Sequence, residues 1–97
     1  TMEKLIKALK KVYGCEWSFY ESTTSSGSEW LTMENDDDSS KSFSIKDCWE
    51  DDYYFVSYDF RVGKEISCCL TLGRVDHSIE ALQKAIQTLI EKAKMLG

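Results

Sequence analysis

The stretch YYFVSYDFRVGKEISCCLTL, residues 53–72, alternates apolar and polar side chains in two runs and predicts a β-hairpin. Directly opposed residues of a hairpin share a face, so joining the two apolar faces requires a loop with an odd number of residues. A three-residue loop of Arg61, Val62 and Gly63 meets this condition, with Gly63 in the left-handed position of a bulged turn. The inward positions of the two strands are Tyr54, Val56, Tyr58 and Phe60, followed by Ile66, Cys68, Leu70 and Leu72.

Three earlier segments show the same period of two and predict further strands. The first begins at Cys15, with Trp17 and Phe19 directed inward. The second is EWLTMEN, residues 29–35, and the third is SFSIKD, residues 42–47. The polar stretches between them, STTSSGS and NDDDSSK, are typical of turns and loops.

Both ends of the chain have the 3.6-residue period of amphipathic helices. Residues 2–13 form the first helix, and Gly14 is a natural stop. Asp76 or Ser78 caps the second. The apolar stripes are Met2, Leu5, Leu9, Val12 and Tyr13 in the first helix, and Ile79, Leu82, Ile86, Leu89, Ala93 and Leu96 in the second. The sequence therefore predicts an α+β fold, a mostly antiparallel sheet of about five strands with an N-terminal and a C-terminal helix packed on one face.

The 97 residues are expected to form a single domain, 1–97, with one core. No apolar run reaches the length of a membrane span, so no membrane association is expected. Nothing in the sequence indicates secretion, and Cys68 and Cys69 point to opposite faces of a strand. We interpret Cys15, Cys48, Cys68 and Cys69 as reduced thiols and expect a cytoplasmic protein.

Two helices can cover only one face of such a sheet, so the other face must meet water or a partner. Strand alternation places Tyr20, Trp30, Tyr53 and Phe55 on that open face. The acidic residues expected among them are Glu16, Glu34, Asp59 and Glu65. Tyrosine and tryptophan often anchor protein interfaces, so these four rings are candidate partner-binding residues.

The net charge of −5 is concentrated in the centre of the chain. Residues 29–65 carry eleven acidic against four basic residues, whereas residues 1–28 and 66–97 each sum to +1. The electrostatic field of these acidic residues favours basic partners and repels phosphates. Two acidic runs could line strand ends of one sheet and imitate a row of phosphates, although charged turns also simply keep small proteins in solution. The candidate residues are Glu34, Asp36, Asp37 and Asp38, then Asp47, Glu50, Asp51 and Asp52.

The sequence offers no recognisable metal, cofactor or catalytic motif. Asp36, Asp38, Ser40 and Asp47 resemble a calcium loop in spacing, but Lys41 stands where that loop needs glycine. One histidine and no CxxC pair argue against zinc. Asp76, His77 and Ser78 are adjacent on a helix start and cannot form a hydrogen-bonded triad. Cys68 is predicted to be buried, and Cys69 has no basic neighbour in sequence to lower its pKa. We therefore expect no enzyme and no cofactor.

The first hypothesis is a non-enzymatic, acidic protein-binding module, an inhibitor or adaptor that occupies a basic site on a partner protein. In size and charge the chain is similar to small phage-encoded inhibitors, the anti-CRISPR proteins among them. This similarity concerns only size and charge, and no sequence motif supports it. Immunity proteins and acidic secretion chaperones share the profile. One alternative is a structural subunit, most simply a homodimer, or a chaperone-like adaptor. The other is binding of single-stranded nucleic acid on the sheet face, which the acidic charge disfavours.

Overall fold

The computed structural model describes residues 2–47 and 52–97, and this part of the chain forms two helices and five strands. In chain order they are α1 (Glu3–Tyr13), β1 (Trp17–Thr23), β2 (Glu29–Asn35), β3 (Ser42–Asp47), β4 (Tyr53–Val62), β5 (Ile66–Asp76) and α2 (Ile79–Leu96). The strands form one antiparallel sheet in the order β1-β2-β3-β4-β5, each paired with its neighbour in sequence. The α+β prediction is confirmed.

A single hydrophobic core lies between one face of the sheet and the two helices. Alternation along each strand directs every second apolar side chain to this face. Phe43 in the central strand β3 is fully buried, and its ring stacks on Tyr58 with centroids 4.2 Å apart. Trp17 tilts against the same ring at 5.5 Å. The other strand residues of the core include Leu31, Met33, Ile45, Val56 and Phe60.

Both helices contribute to this one core. Leu5 and Leu9 of α1 and Leu82, Ile86 and Leu89 of α2 are buried in it. Helix α2 packs on β4 and β5, whereas α1 lies against β1 and touches α2. The opposite face of the sheet is left without a helix from the described part of the chain.

Three residues assigned to helix stripes are not buried. Val12 is 59% exposed because the last turn of α1 extends past the core, and Ile79 and Leu96 lie at the two ends of α2 with 39% and 56% exposure. Cys15 lies before β1 and is also exposed. The predicted apolar pattern is correct for these elements, but it included residues that do not pack against the core.

The β4–β5 loop has the predicted three residues, but its predicted position is wrong. Strand β4 continues through Arg61 to Val62, which pairs with Ile66, so the loop consists of residues 63–65. Gly63 has the expected positive φ of 69°. Val62 continues the alternation and packs against the core, which explains the longer strand. A two-residue shift keeps the parity, so the faces were assigned correctly.

Ser78 is the N-cap of α2, one of the two predicted caps. It has extended backbone angles, and its hydroxyl accepts a hydrogen bond of 3.1 Å from the N–H of Ala81. Replacing Ser78 by alanine removes this acceptor and should lower the free energy of unfolding by about 1 kcal/mol in urea denaturation. Ser78→Asp keeps an acceptor and should stay near wild-type stability. Equal losses in both variants would contradict this role.

Candidate functional site: the open sheet face

The open face consists of three rows of residues that run across the sheet. The strand registers place residues side by side, and adjacent strands are about 4.8 Å apart, so five strands span about 20 Å. The rows are Ser18, Glu34, Ser42, Asp59 and Cys69; then Tyr20, Thr32, Ser44, Ser57 and Thr71; then Ser22, Trp30, Lys46 and Phe55. The face is therefore a flat polar surface with aromatic rings at particular positions.

The four predicted rings form a diagonal line across this face, the aromatic band of Tyr20, Trp30, Phe55 and Tyr53. Tyr20 lies on edge strand β1, diagonal to Trp30 on β2, and Lys46 separates Trp30 from Phe55. Tyr53 follows two residues away on β4. Tyr20 is 56% exposed, Tyr53 and Phe55 are each 41% exposed, and Trp30 is half-buried. In residues 2–47 and 52–97 no two of these rings stack on each other.

Phe55 lies over a local irregularity of the sheet. The register between β4 and β5 shifts between Tyr54 and Val56. At this shift the ring of Phe55 lies above Gly73, where a Cβ would be 3.9 Å from it. The ring thus rests on backbone and keeps its outer face exposed.

Two cations accompany the aromatic band. The Nζ of Lys46 lies 5.3 Å from the centroid of the Trp30 ring, and the guanidinium of Arg74 lies 6.0 Å from that of Tyr53. Both distances fit a cation–π interaction. Alternation in sequence does not predict these contacts, because they depend on β3 and β5 bringing Lys46 and Arg74 beside the rings.

Most carboxylates of the open face gather at one end, whereas Asp76 lies directly opposite Tyr53 at the other end. Glu34 and Asp59 share a row that lies four residues along the strands from the row of Trp30 and Phe55. Glu16 precedes β1, and Glu65 lies in the β4–β5 turn at the same end of the sheet. Glu34 is a diagonal neighbour of Tyr20, so the predicted interspersed arrangement holds for this ring and is wrong for Trp30 and Phe55. The residues face outward as expected, but the registers collect them at one end.

The β2–β3 turn adds three carboxylates to that end, and we call Asp36, Asp37 and Asp38 the acidic turn. The side-chain oxygen of Asn35 accepts hydrogen bonds of 3.0 Å from the N–H groups of Asp37 and Asp38. The hydroxyl of Ser18 donates to Asp36. These bonds fix the turn and leave its carboxylates at the surface.

Asp38 has the clearest electrostatic signature in the turn. Hydrogen bonds from the hydroxyl and then the backbone N–H of Ser40 hold the pKa of the Asp38 carboxyl below its ordinary value, with smaller contributions from the charges of Lys41 and Arg61. Asp38, Arg61 and Lys64 line one shallow cleft, so the acidic turn lies beside the basic β4–β5 turn. The Asp38 carboxylate is therefore ionised at neutral pH, and Arg61 and Lys64 beside it moderate its electrostatic field.

The two acidic runs do not form one row. Asp36–Asp38 follow β2, whereas Asp47 ends β3 and Asp52 precedes β4, so the runs lie at opposite ends of the sheet. They are separated by the length of β3, about 20 Å for six residues. Glu50 and Asp51 fall outside the described residues. Successive turns of an antiparallel sheet lie alternately at its two ends. This topology therefore does not produce a continuous row of phosphate-like charges.

A cluster at the far end of the sheet is not apparent from the sequence. The Nε2 of His77 lies 3.0 Å from a carboxylate oxygen of Asp47, and the imidazole stacks on Tyr54 with centroids 4.3 Å apart. Asp47 and His77 are 30 positions apart, and only the pairing of β3, β4 and β5 brings them together.

The residues examined for catalysis have other roles in the fold. Ser78 caps α2 and His77 pairs with Asp47, so Asp76, His77 and Ser78 do not act on one another as a triad does. Desolvation, followed by a hydrogen bond with Asp59, raises the pKa of the Cys69 thiol and reduces its thiolate fraction. Cys15, Cys68 and Cys69 are free thiols. Within residues 2–47 and 52–97, no three histidine, cysteine or acidic side chains come together as metal ligands could.

The sequence matches no protein-family model, and comparison with curated proteins and with solved structures gives no significant match. In the described part of the chain neither helix combines the length and apolar character that crossing a bilayer requires.

Proposed function

We propose that this chain is a non-enzymatic protein-binding module that docks its open sheet face on a partner protein, as a small acidic inhibitor or adaptor. The observation that carries the proposal is the one-sided position of the helices, which leaves Tyr20, Trp30, Phe55 and Tyr53 on the uncovered face. Tyrosine and tryptophan bury large areas at interfaces with little loss of side-chain entropy. Three such rings, together with Phe55, form the candidate anchor on this face.

The size of the face limits how the partner binds. Five strands of about 4.8 Å spacing and three rows of residues give a flat area on the order of 400 Å². A standard interface takes about 800 Å² from each partner. The open face alone is too small for a stable complex, so the proposed interface includes a neighbouring turn.

The acidic turn is the neighbour best suited to this role. It adjoins the row of Glu34 and Asp59 and carries three surface carboxylates. A partner with an apolar patch beside a group of lysines or arginines would match both parts of the surface. The aromatic band would supply most of the affinity, and the acidic turn would select basic partners and accelerate their association.

Affinity capture from a lysate of the native host tests the proposal. Wild-type protein on the resin should retain a protein with a basic surface that a Trp30→Ala bait does not retain. The captured protein should be released as salt rises toward about 1 M, where the Debye length is about 3 Å. Retention of the same proteins by both baits, or indifference to salt, would count against it.

Removing the charges of the acidic turn should slow association with that partner. Replacing Asp36, Asp37 and Asp38 together by asparagine keeps the hydrogen-bond acceptors but removes three charges. The association rate at low salt should fall by about tenfold or more, as measured by surface plasmon resonance. The control replaces Glu3, Glu80 and Glu91 on the helical side by glutamine, which changes the net charge equally. If both triple variants slow binding to the same extent, the location of the charge has no role.

A second candidate, binding of single-stranded nucleic acid, is favoured by the cations beside the rings. Lys46 at Trp30 and Arg74 at Tyr53 provide the pairing of base-stacking ring and phosphate-binding cation that such surfaces use. The carboxylates at the end of the face and the net charge of −5 oppose it. A mobility shift with a labelled oligonucleotide at low salt, abolished by Lys46→Ala, would establish this function in place of the first.

A further inference from the structure

Strand β5 forms an unprotected edge of the sheet. It is last in the strand order, and no strand of the described chain pairs with its outer side. Its residues 66–73, ISCCLTLG, contain neither charge nor proline. Sheet proteins usually protect such an edge with lysine, proline or a bulge, because its free N–H and C=O groups can accept another strand. In β5 the register shift and the first charge come only toward its end, at Gly73 and Arg74.

An apolar groove runs beside this edge, under the C-terminal half of α2. Its volume is about 350 Å³, and its apolar lining includes Leu70 and Leu72 of β5 with Leu89, Met95 and Leu96 of α2. Met95 is 78% exposed, Leu96 56% and Ile66 59%. A strand added to β5 would place every second side chain in this groove.

We propose that a second copy of this chain occupies the edge, with the two β5 strands paired antiparallel about a two-fold axis perpendicular to the sheet. This axis keeps the helices of both copies on the same side, so the apolar residues of each β5 face the other copy's groove. The outward residues Ser67, Cys69 and Thr71 then extend the polar open face. A strand added at this edge needs apolar side chains toward the groove and polar side chains toward the open face. The alternation of residues in β5 itself has this pattern.

The charges at this edge suit self-association. Pairing Cys69 with its counterpart aligns residues 66–72 of the two copies, Ile66 opposite Leu72 and Cys68 opposite Leu70. By the same register Lys64 of one copy lies opposite Arg74 of the other, and Glu65 and Asp76 lie beside these two cations and offset their repulsion. Residues 64–97 carry five basic and four acidic residues, so they sum to +1, and the acidity that gives each chain its charge of −5 lies elsewhere.

The area fits a weak dimer, one that forms only at high protein concentration. Seven paired residues span about 23 Å, and the edge with its groove is about 20 Å high, from the sheet to the helix layer. Each copy thus contributes on the order of 450–500 Å². The total area buried by the two copies is near the lower limit for a specific interface, roughly 1,000 Å².

Light scattering and sedimentation equilibrium test the proposal with matched variants. The wild type should approach twice the chain mass of 11.2 kDa as its concentration rises into the millimolar range. Ile66→Lys and Met95→Lys should each raise the dissociation constant at least tenfold. Val12→Lys changes a side chain with the same 59% exposure as Ile66, on α1, and should dimerise like the wild type. A monomer at every concentration, or dimers that neither lysine variant weakens, would overturn the proposal.

Oxidation of Cys69 tests the strand register. Directly opposed residues have Cα atoms about 4.5–5.5 Å apart, a distance that a disulfide spans. Two thiols lose two electrons and two protons to added copper phenanthroline and oxygen as the bond forms. Covalent dimers should form in the wild type and in Cys15→Ser but not in Cys69→Ser. Cross-linking that persists in Cys69→Ser and disappears in Cys15→Ser would refute the pairing.

Discussion

Phe43→Ala is expected to lower the free energy of unfolding by about 3–5 kcal/mol, because the substitution removes a fully buried ring from the centre of the core. The ring stacks on Tyr58 at 4.2 Å and contacts Trp17 at 5.5 Å, so both aromatic contacts are lost and a cavity remains. Domains of this size are stable by about 5–15 kcal/mol. Urea denaturation of the variant should therefore show a much lower midpoint or a largely unfolded protein.

Phe55→Ala is the matched control, with the same chemical change on the other side of the sheet. Phe55 is 41% exposed and rests on Gly73, so its truncation should cost at most about 1 kcal/mol. The contrast between the two phenylalanines distinguishes the covered from the open face. Comparable losses at the two positions would mean that both faces are packed, and the proposed binding surface would not exist.

Trp30→Ala is expected to weaken partner binding by about 2 kcal/mol or more, a factor of about 30. Trp30 lies near the start of β2 in the aromatic band, between Tyr20 and Lys46, and the Lys46 ammonium lies over its ring. Removing it deletes the largest ring of the band and releases that cation. Titration calorimetry with the captured partner measures the change.

Val12→Ala is the control for this binding experiment, since Val12 is an exposed apolar residue on the helical side. It should leave affinity unchanged, and Trp30→Phe should recover part of the loss because it restores an aromatic surface. Unfolding of Trp30→Ala must be measured beside affinity, so that lost binding is not confused with lost structure. If Val12→Ala weakens binding and Trp30→Ala does not, the partner binds the helical side instead.

The strands were predictable because one face of each is buried. Alternation in SFSIKD and EWLTMEN gave the bounds of β3 and β2 that the structure has, with Phe43, Ile45, Leu31 and Met33 inward. A one-residue slip would expose this whole set, which makes the period a strong signal. The same alternation correctly placed the aromatic band on the outer face.

The distribution of charge along the sheet was not predictable from alternation. A period of two assigns a face but says nothing about which residues of different strands are neighbours. The separation of the two acidic runs, the cations beside Trp30 and Tyr53, and the contact of Asp47 with His77 all depend on register across strands. The composition of the candidate surface could be derived from sequence, whereas its layout required the structure.

The two proposed surfaces are compatible with each other. Pairing through β5 leaves the open face of each copy uncovered and extends it into a ten-stranded sheet with two aromatic bands. A dimer of this kind would present two partner-binding surfaces on the same side. Loss of dimerisation in Ile66→Lys without loss of partner binding would separate the two properties.

Hydroxyl-radical footprinting, read residue by residue by mass spectrometry with and without the captured partner, is the most direct test of the open-face account. In the free protein Tyr20, Trp30, Tyr53 and Phe55 should be oxidised readily, and Phe43 should be protected. In the complex the four rings should become protected while Val12 on α1 keeps its reactivity. Protection of the four rings in the free protein, or protection of Val12 and not of the rings in the complex, would contradict the account.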